Sequence, residues 1–595
     1  MQQNKYSTRQ EVSGTLGAAS STHWIATQVG MSILERGGNA FDAAVAMAFT
    51  LHVAEPHQNS LGGEVVILIR PAGASAPRVV CGQGVAPARA TIAHFRSLGL
   101  DLIPANGLLP AVVPGAFDGW MLMFRDYGTL PLETVLEPAI AYAAKGIPLL
   151  TEARLRIDKA AALFRDHWTS SARIYLPGNC TPDAGDLFRN PELAETYQRI
   201  LHEATSAGAE RTRQIEKARK AFYEGFVAEQ ICKFCAQTAV WDASGAAHIG
   251  LLDLEDLSSW HATYEEPVSV DFRGFRVFKP GLWTQGPAFL QFLALVSGLD
   301  LFALNPFEAE YIHALVEAFK LAYADREAWC GDAEHDEALV PALLAADYIA
   351  DRRRLIGSDA SLELRPGSIC NRAPRLPRYA FNVSGGLGEQ LPPLVSAVPF
   401  GEPGAGDTCH LDVIDRWGNV VAATPSGGWF WGSPAIPELG FSLNTRAQMF
   451  WLQEGLMSSL VPRTRPRTTL SPTIALNEGH AIAFGTRGAD YQDQWSAQFL
   501  LHHLGFAMDL QEAWDAPNFH SDHFPRSDFP RDASPGKLTL DQRYGAATAD
   551  ALRKRGHTVG LHRGRRGRGC AAKKSALLLR AAASSSVPAS LALAR

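Results

Sequence analysis

A mixed α and β chain folding as a layered sandwich is what this sequence predicts, on three observations. Strand-like apolar runs cluster in two sets. Stretches with apolar residues at helical spacing lie outside those sets, so they are placed to cover sheets rather than to pack alone. The length of 595 residues, with 46% hydrophobic and 19% charged residues, supplies ample material for large cores. The formal net charge of −6 (55 Lys+Arg against 61 Asp+Glu) excludes a chain built throughout to neutralise phosphates, and the apolar content excludes a disordered polymer.

Taken in order, His23 to Leu51 reads as a helix pair interrupted by Gly37-Gly38-Asn39, a stop followed by a new start. Val65 to Ile69 is a continuous apolar run, as in a strand buried on both faces, and Val79-Val80-Cys81 follows a Gly/Pro turn. Val113 to about Cys235 is largely helical, with breaks at Pro114-Gly115 and Gly146-Ile147-Pro148. Residues 240–280 return to strands and turns, and Phe307 to Asp325 is an amphipathic helix. From Arg365 to Gly406 the chain is rich in Pro, Gly and Ser, suited to an exposed boundary or cleavable linker. Strands follow at 411–414, 420–424, 473–476 and 481–484, then a helix at 495–504.

The last 33 residues, 563–595, hold eight Lys or Arg, no acidic residue and Ala/Ser/Leu low complexity. They read as a basic, disordered tail; a nucleic-acid arm is the alternative, though no aromatics are interleaved for stacking on bases. No run approaches the roughly 20 apolar residues of a membrane helix, and no secretory signal is legible, so a cytoplasmic protein is expected. Eight cysteines without framework spacing fit a reducing compartment, with Cys232 and Cys235 a structural CxxC. His520 with His523, His502 with His503 and His52 with His57 lack metal-ligand spacing, so neither metal nor cofactor is expected.

Chemistry concentrates in Gly406-Asp407-Thr408-Cys409-His410, which opens a strand–turn–strand pattern ending at Thr424-Pro425-Ser426-Gly427-Gly428. With the turn centred on Trp417-Gly418, Ser426 is expected opposite Cys409, within reach of Thr408. A threonine hydroxyl needs a base. Cleavage between Asp407 and Thr408 would provide one, the new α-amine with a pKa near ~8. Cys409, a rival thiol, should point to the opposite face of its strand.

Residues 406–424 (GDTCHLDVIDRWGNVVAAT) resemble the start of the small subunit in the γ-glutamyltranspeptidase family. GGNAFDAAVA at 37–46, NSLGG at 59–63, VPGAFDGW at 113–120, YGTLPLETVLEPAIAYAAKGIP at 127–148, AYADRE at 322–327 and RPRTTLSPT at 465–473 are similar to family segments in family order. The resemblance implies an α+β, four-layer αββα sandwich, the N-terminal-nucleophile hydrolase fold, with a large-subunit region 1–407 and a small-subunit region 408–562. It also implies a self-processing enzyme that cleaves or transfers the acyl group of γ-glutamyl, glutathione-like amides, its two fragments staying associated. Small-molecule amides or peptides are the expected partners, and neither nucleic acid nor a membrane.

By the same resemblance Thr408 is the nucleophile, Ser426 the hydroxyl that activates it, and Thr468 with Thr469 the pair that contacts the acyl group. Gly488 and Ala489 form the oxyanion hole. Ala489 replaces a glycine and Arg487 a proline; if position 489 needs positive φ, alanine is strained there. In the substrate pocket the family arginine corresponds to Gln83, an acidic residue to Met449 and an asparagine to Gly428. Arg446 stands near as a replacement positive charge or as an ordinary ion-pair member. These departures keep two alternatives open, an acylase for an amide lacking the α-amino group and a non-catalytic family member.

Overall fold

The computed structural model describes residues 6–332, 336–380, 408–564 and 566–595. Asp407 and residues 381–406 of the expected linker lie outside the described residues.

Two seven-stranded sheets stack face to face. The first runs, edge to edge, through strands Val12–Gly14, Leu578–Ala583, Gly569–Ser575, His480–Thr486, Thr473–Asn477, Phe275–Lys279 and Val268–Phe272. The second runs through Leu591–Ala594, Gly17–Ser21, Leu411–Asp415, Val420–Ser426, Glu64–Arg70, Arg78–Gly82 and Thr263–Glu265. Neighbours within both sheets are antiparallel. Each sheet draws strands from both sides of residue 407, so the regions 1–407 and 408–595 are not separate folding units.

Three apolar layers hold the stack. Between the sheets lie Val66, Leu68, Ile414, Ala422, Ile474, Ala483, Ala572 and Ala581, all buried. Over the outer face of the second sheet pack the expected helix pair, Trp24–Glu35 and Ala40–Ala54, with the helices that follow. Over the first sheet pack Gly286–Ser297, Ala309–Trp329 and Gln492–Gly505. This is the four-layer αββα order, and burial on both faces explains why Val65 to Ile69 is apolar without alternation.

The structure corrects the reading of residues 563–595 as a disordered tail. Gly569–Ser575 and Leu578–Ala583 form a hairpin inside the first sheet, and Leu591–Ala594 closes the edge of the second beside Gly17–Ser21. Small side chains supply the reason. Cys570, Ala571, Ala572 and Ala581 to Ala583 are fully buried, and residues of that size let another layer approach closely without needing large apolar groups. The basic residues take up polar positions: Lys573 donates to His503 (2.8 Å), and Arg580 pairs with Glu11 (3.1 Å). The edges that both sheets would leave unpaired without this region are therefore filled.

Candidate active site

The hairpin that carries Thr408 is closed by a three-residue loop, Arg416-Trp417-Gly418, with Gly418 at φ 93°. The Asp415 carboxylate accepts the Gly418 amide at 2.9 Å and the Asn419 amide at 3.0 Å, so this aspartate builds the turn. A three-residue loop shifts the register by one from the expected pairing. Ser426 lies opposite Thr408, not Cys409, and the Cys409 amide donates to the Pro425 carbonyl (2.9 Å). The correction brings the two hydroxyls together: Thr408 Oγ1 and Ser426 Oγ are 3.3 Å apart and fully buried. Cys409 points the other way, into the helix layer, where burial raises its thiol well above the usual range.

Ser426 is held from its far side. The Arg446 guanidinium donates to Ser426 Oγ (2.8 Å), to Glu64 Oε1 through Nε (2.7 Å) and again through Nη2, and to Met449 Sδ (3.7 Å). Glu64 is paired with Ser426 by strand register, and the next step across the sheet, Val65 to Gly82, brings Gln83 to the same end. Arg446 is thus the member of a buried ion pair, and it also touches the hydroxyl expected to activate Thr408. Gln83 is fully buried, and among the described residues its Oε1 has no hydrogen-bond partner. Gly428, at φ 65°, accounts for the missing asparagine, since a Cβ there would stand 2.1 Å from Ser60 Oγ and 2.7 Å from the Ser442 carbonyl.

Across the sandwich, the strand His480–Thr486 ends beside the Thr408 strand, because a Cβ on Gly485 would meet the His410 ring at 2.4 Å. The loop that follows holds Gly488 at φ 131° and Ala489 at φ 49°. Alanine therefore does occupy a left-handed position, as the sequence warned. Neighbours hold the loop: Tyr323 donates to the Asp490 carbonyl (2.8 Å), Ser527 to the Asp490 carboxylate (2.6 Å), and the Tyr491 amide to the Gly488 carbonyl (2.9 Å). Thr468 and Thr469 precede the strand Thr473–Asn477, whose first residue pairs with Phe484 at this same end. Both threonines are buried. Thr468 Oγ1 accepts the Leu470 amide (3.3 Å), whereas among the described residues Thr469 Oγ1 has no hydrogen-bond partner.

Sequence reasoning missed Glu64, which reads as the start of an apolar strand, and a buried relay behind the nucleophile. His410 bonds Thr424 Oγ1 at 2.9 Å and Asp412 at 3.0 Å. The period-2 spacing 408, 410, 412 carried that signal, since it places all three on one face. Among the described residues one group has metal-compatible spacing, His313, Glu317 and His557. Most of its donors have protein partners: His313 Nδ1 and His557 Nε2 bond each other at 2.9 Å, and Glu317 pairs with Lys320 at 2.6 Å and Arg365 at 3.3 Å, while His557 Nδ1 has no hydrogen bond among the described residues.

Comparison with known proteins follows this geometry. The Gamma-glutamyltranspeptidase family model matches residues 26–586. The chain belongs to that family. The glutathione hydrolase-like YwrD proenzyme of Bacillus subtilis is 29% identical over 85% of this chain and 85% of its own length. The solved structure of LmbA2991HD is 48% identical with a TM-score of 0.93, covering 99% of this chain and 100% of that one. A cephalosporin acylase from Bacillus halodurans is 25% identical with a TM-score of 0.82, covering 100% and 99%. The fold is thus the N-terminal-nucleophile hydrolase sandwich, and the chain is a γ-glutamyltransferase-like enzyme of amide hydrolysis and acyl transfer. Among the described residues no helix is long and apolar enough to cross a membrane.

Proposed function

We propose that the protein cuts itself between Asp407 and Thr408 and then uses Thr408 to attack amide carbonyls of γ-glutamyl or closely related substrates. The observation that carries this reading is the Thr408–Ser426 pair, two buried hydroxyls 3.3 Å apart with Arg446 behind the second. After cleavage the Thr408 α-amine accepts the hydroxyl proton, and Ser426, its own oxygen engaged by Arg446, orients Thr408 Oγ1. The carbonyl oxygen becomes an oxyanion, for which the Gly488 and Ala489 amides are the donors; losing one such donor typically costs about 10²–10³ in rate. The amine departs with a proton, and water or an acceptor amine releases the acyl group from Thr408. The two fragments stay associated, because both sheets interleave strands from each side of the cut. The eight cysteines are all unpaired, which supports a reducing, cytoplasmic compartment.

A second reading, an acylase for amides without the α-amino group, is favoured by Gln83 and Met449 standing where a γ-glutamyl head group needs charges. Two measurements test these readings. Denaturing mass spectrometry of the purified protein should show two fragments divided at Asp407/Thr408, and Thr408→Ala should stay intact and inactive. An intact wild-type chain that still turns over amides would sink the mechanism. Comparing γ-glutamyl with glutaryl anilides then separates the substrates, a strong γ-glutamyl preference removing the second reading.

A further inference from the structure

On the side of Thr408 facing the strand Gly17–Ser21, away from Glu64, two arginines face each other. Thr486 pairs with Gly569, so Arg487 and Arg568 continue the register by one residue, and the Arg487 amide donates to the Arg568 carbonyl at 3.3 Å. Arg487 is 2% exposed. Its Nη2 reaches Glu152 at 2.6 Å and its Nη1 makes a longer ion pair with Glu55 at 3.9 Å, but among the described residues neither Nη1 nor Nε has a hydrogen-bond partner. Arg568 is half-buried, and among the described residues its Nε and Nη1 also have no hydrogen-bond partner.

Two carboxylates stand on this flank. Glu55 takes the Thr22 hydroxyl and the Cys409 thiol (3.2 Å) on Oε2, its Oε1 has no hydrogen bond among the described residues, and burial raises its carboxyl above the usual range. Glu152 accepts from Arg487 and also from Gln58 (3.3 Å). His57 adds no negative charge; it is buried, and among the described residues neither ring nitrogen has a hydrogen bond. Like charges opposite one another across strands repel, and a buried guanidinium without an acceptor is costly. The fold carries this cost next to its reacting centre, since Glu55 bonds the residue after Thr408 and Arg487 immediately precedes Gly488.

We infer that Arg487 and Arg568 form a receptor for a carboxylate carried by the substrate, an inference that rests on the reading of Thr408 as nucleophile. A carboxylate offers two oxygens in the plane of a guanidinium fork and can bridge the two arginines, filling the donors that the protein leaves open. The recognition lost at Gln83 and Met449 is thereby moved to the other flank of the nucleophile. The shared chemistry admits two positions for that carboxylate, on the acyl group or on the departing amine, and the two are separable.

The test compares kcat/KM of the processed wild type and of Arg568→Gln on three amides: glutaryl anilide, the butyryl amide of 4-aminobenzoate, and butyryl anilide. The expected result is at least a tenfold preference for one carboxylate-bearing amide over butyryl anilide. Arg568→Gln should remove that preference and leave butyryl anilide within about twofold. Which amide is preferred locates the carboxylate. Equal rates on all three, or an equal loss on all three in the variant, would overturn the inference. Calorimetric titration of the same proteins with glutarate, 4-aminobenzoate and the neutral glutaramide gives a readout that needs no turnover. Binding of one anion, weakened at least tenfold by Arg568→Gln, supports the receptor; binding indifferent to charge, or no binding of either anion, refutes it. Failure of the Thr408 mechanism shows separately, as an uncut chain in the mass measurement.

Discussion

Arg446 and Arg487 are both buried arginines, one bonded to Ser426 and the other next to the Glu55 that holds Cys409, yet their surroundings differ. Each nitrogen of the Arg446 guanidinium has a partner within the protein: Nε and Nη2 on Glu64, Nη2 also on Ser426, and Nη1 on Met449. Arg487 has one hydrogen-bonded carboxylate, Glu152, and among the described residues four nitrogens of Arg487 and Arg568 have no hydrogen bond. A satisfied buried pair holds geometry, because breaking it strands a charge; an unsatisfied one keeps binding capacity for something else. One flank of Thr408 therefore serves alignment and the other serves recognition.

The comparison can be broken most forcefully at the satisfied flank. Arg446→Met leaves Glu64 buried without its cation and should cost about 3–5 kcal/mol in urea denaturation. It should also slow self-cleavage, since Ser426 loses its donor. A change below about 1 kcal/mol would show that the pair does not hold this flank.

Acid provides the next probe. Burial lowers His23, His52, His57, His520 and His523 to about 3, so each is neutral when folded at pH values where the unfolded ring, near 6.5, binds a proton. The unfolded state then holds more protons. Stability is fully present above about pH 6.5 and is lost as pH falls toward about 3, by up to a few kcal/mol per ring. His57 belongs to the recognition flank, so His57→Gln should make the slope of unfolding free energy against pH shallower by one proton in that window. An unchanged slope would mean that His57 is not held neutral there.

Two smaller effects follow. Ala489→Gly relieves a left-handed alanine at φ 49°, and thermal denaturation should show a gain of no more than about 1 kcal/mol, with kcat equal or higher. A lower kcat would mean that the methyl group itself helps to shape the oxyanion loop. Arg568→Gln should be the mildest, within about 1 kcal/mol of wild type in urea and neutral or stabilising, because it removes a guanidinium lacking acceptors. A loss as large as that of Arg446→Met would erase the difference between the flanks.

How much of this was legible before the fold depends on the kind of signal. The two-sided strand at 65–69, the helix pair interrupted at Gly37 and the hairpin through Thr408 show in the sequence because periodicity and glycine placement are local properties. The hairpin register was wrong by one, since Asp415 and Asn419 close a three-residue loop where the sequence suggested a turn centred between Trp417 and Gly418. Residues 569–594 looked like low-complexity tail because alanines give no strong strand preference; their burial between larger layers makes them strands. The ion partners Glu64 and Glu152 stand far along the chain from Arg446 and Arg487, and no local pattern links them.

The amino-acid order by itself determined the family, the nucleophile candidate at Thr408 and the strained alanine at 489, because those rest on contiguous motifs and on the conformational limits of single residues. Only the tertiary structure decided which arginine is tied down and which is left open. That outcome depends on acceptors brought in from strands and helices hundreds of residues away, and on burial, which makes an unfilled donor matter.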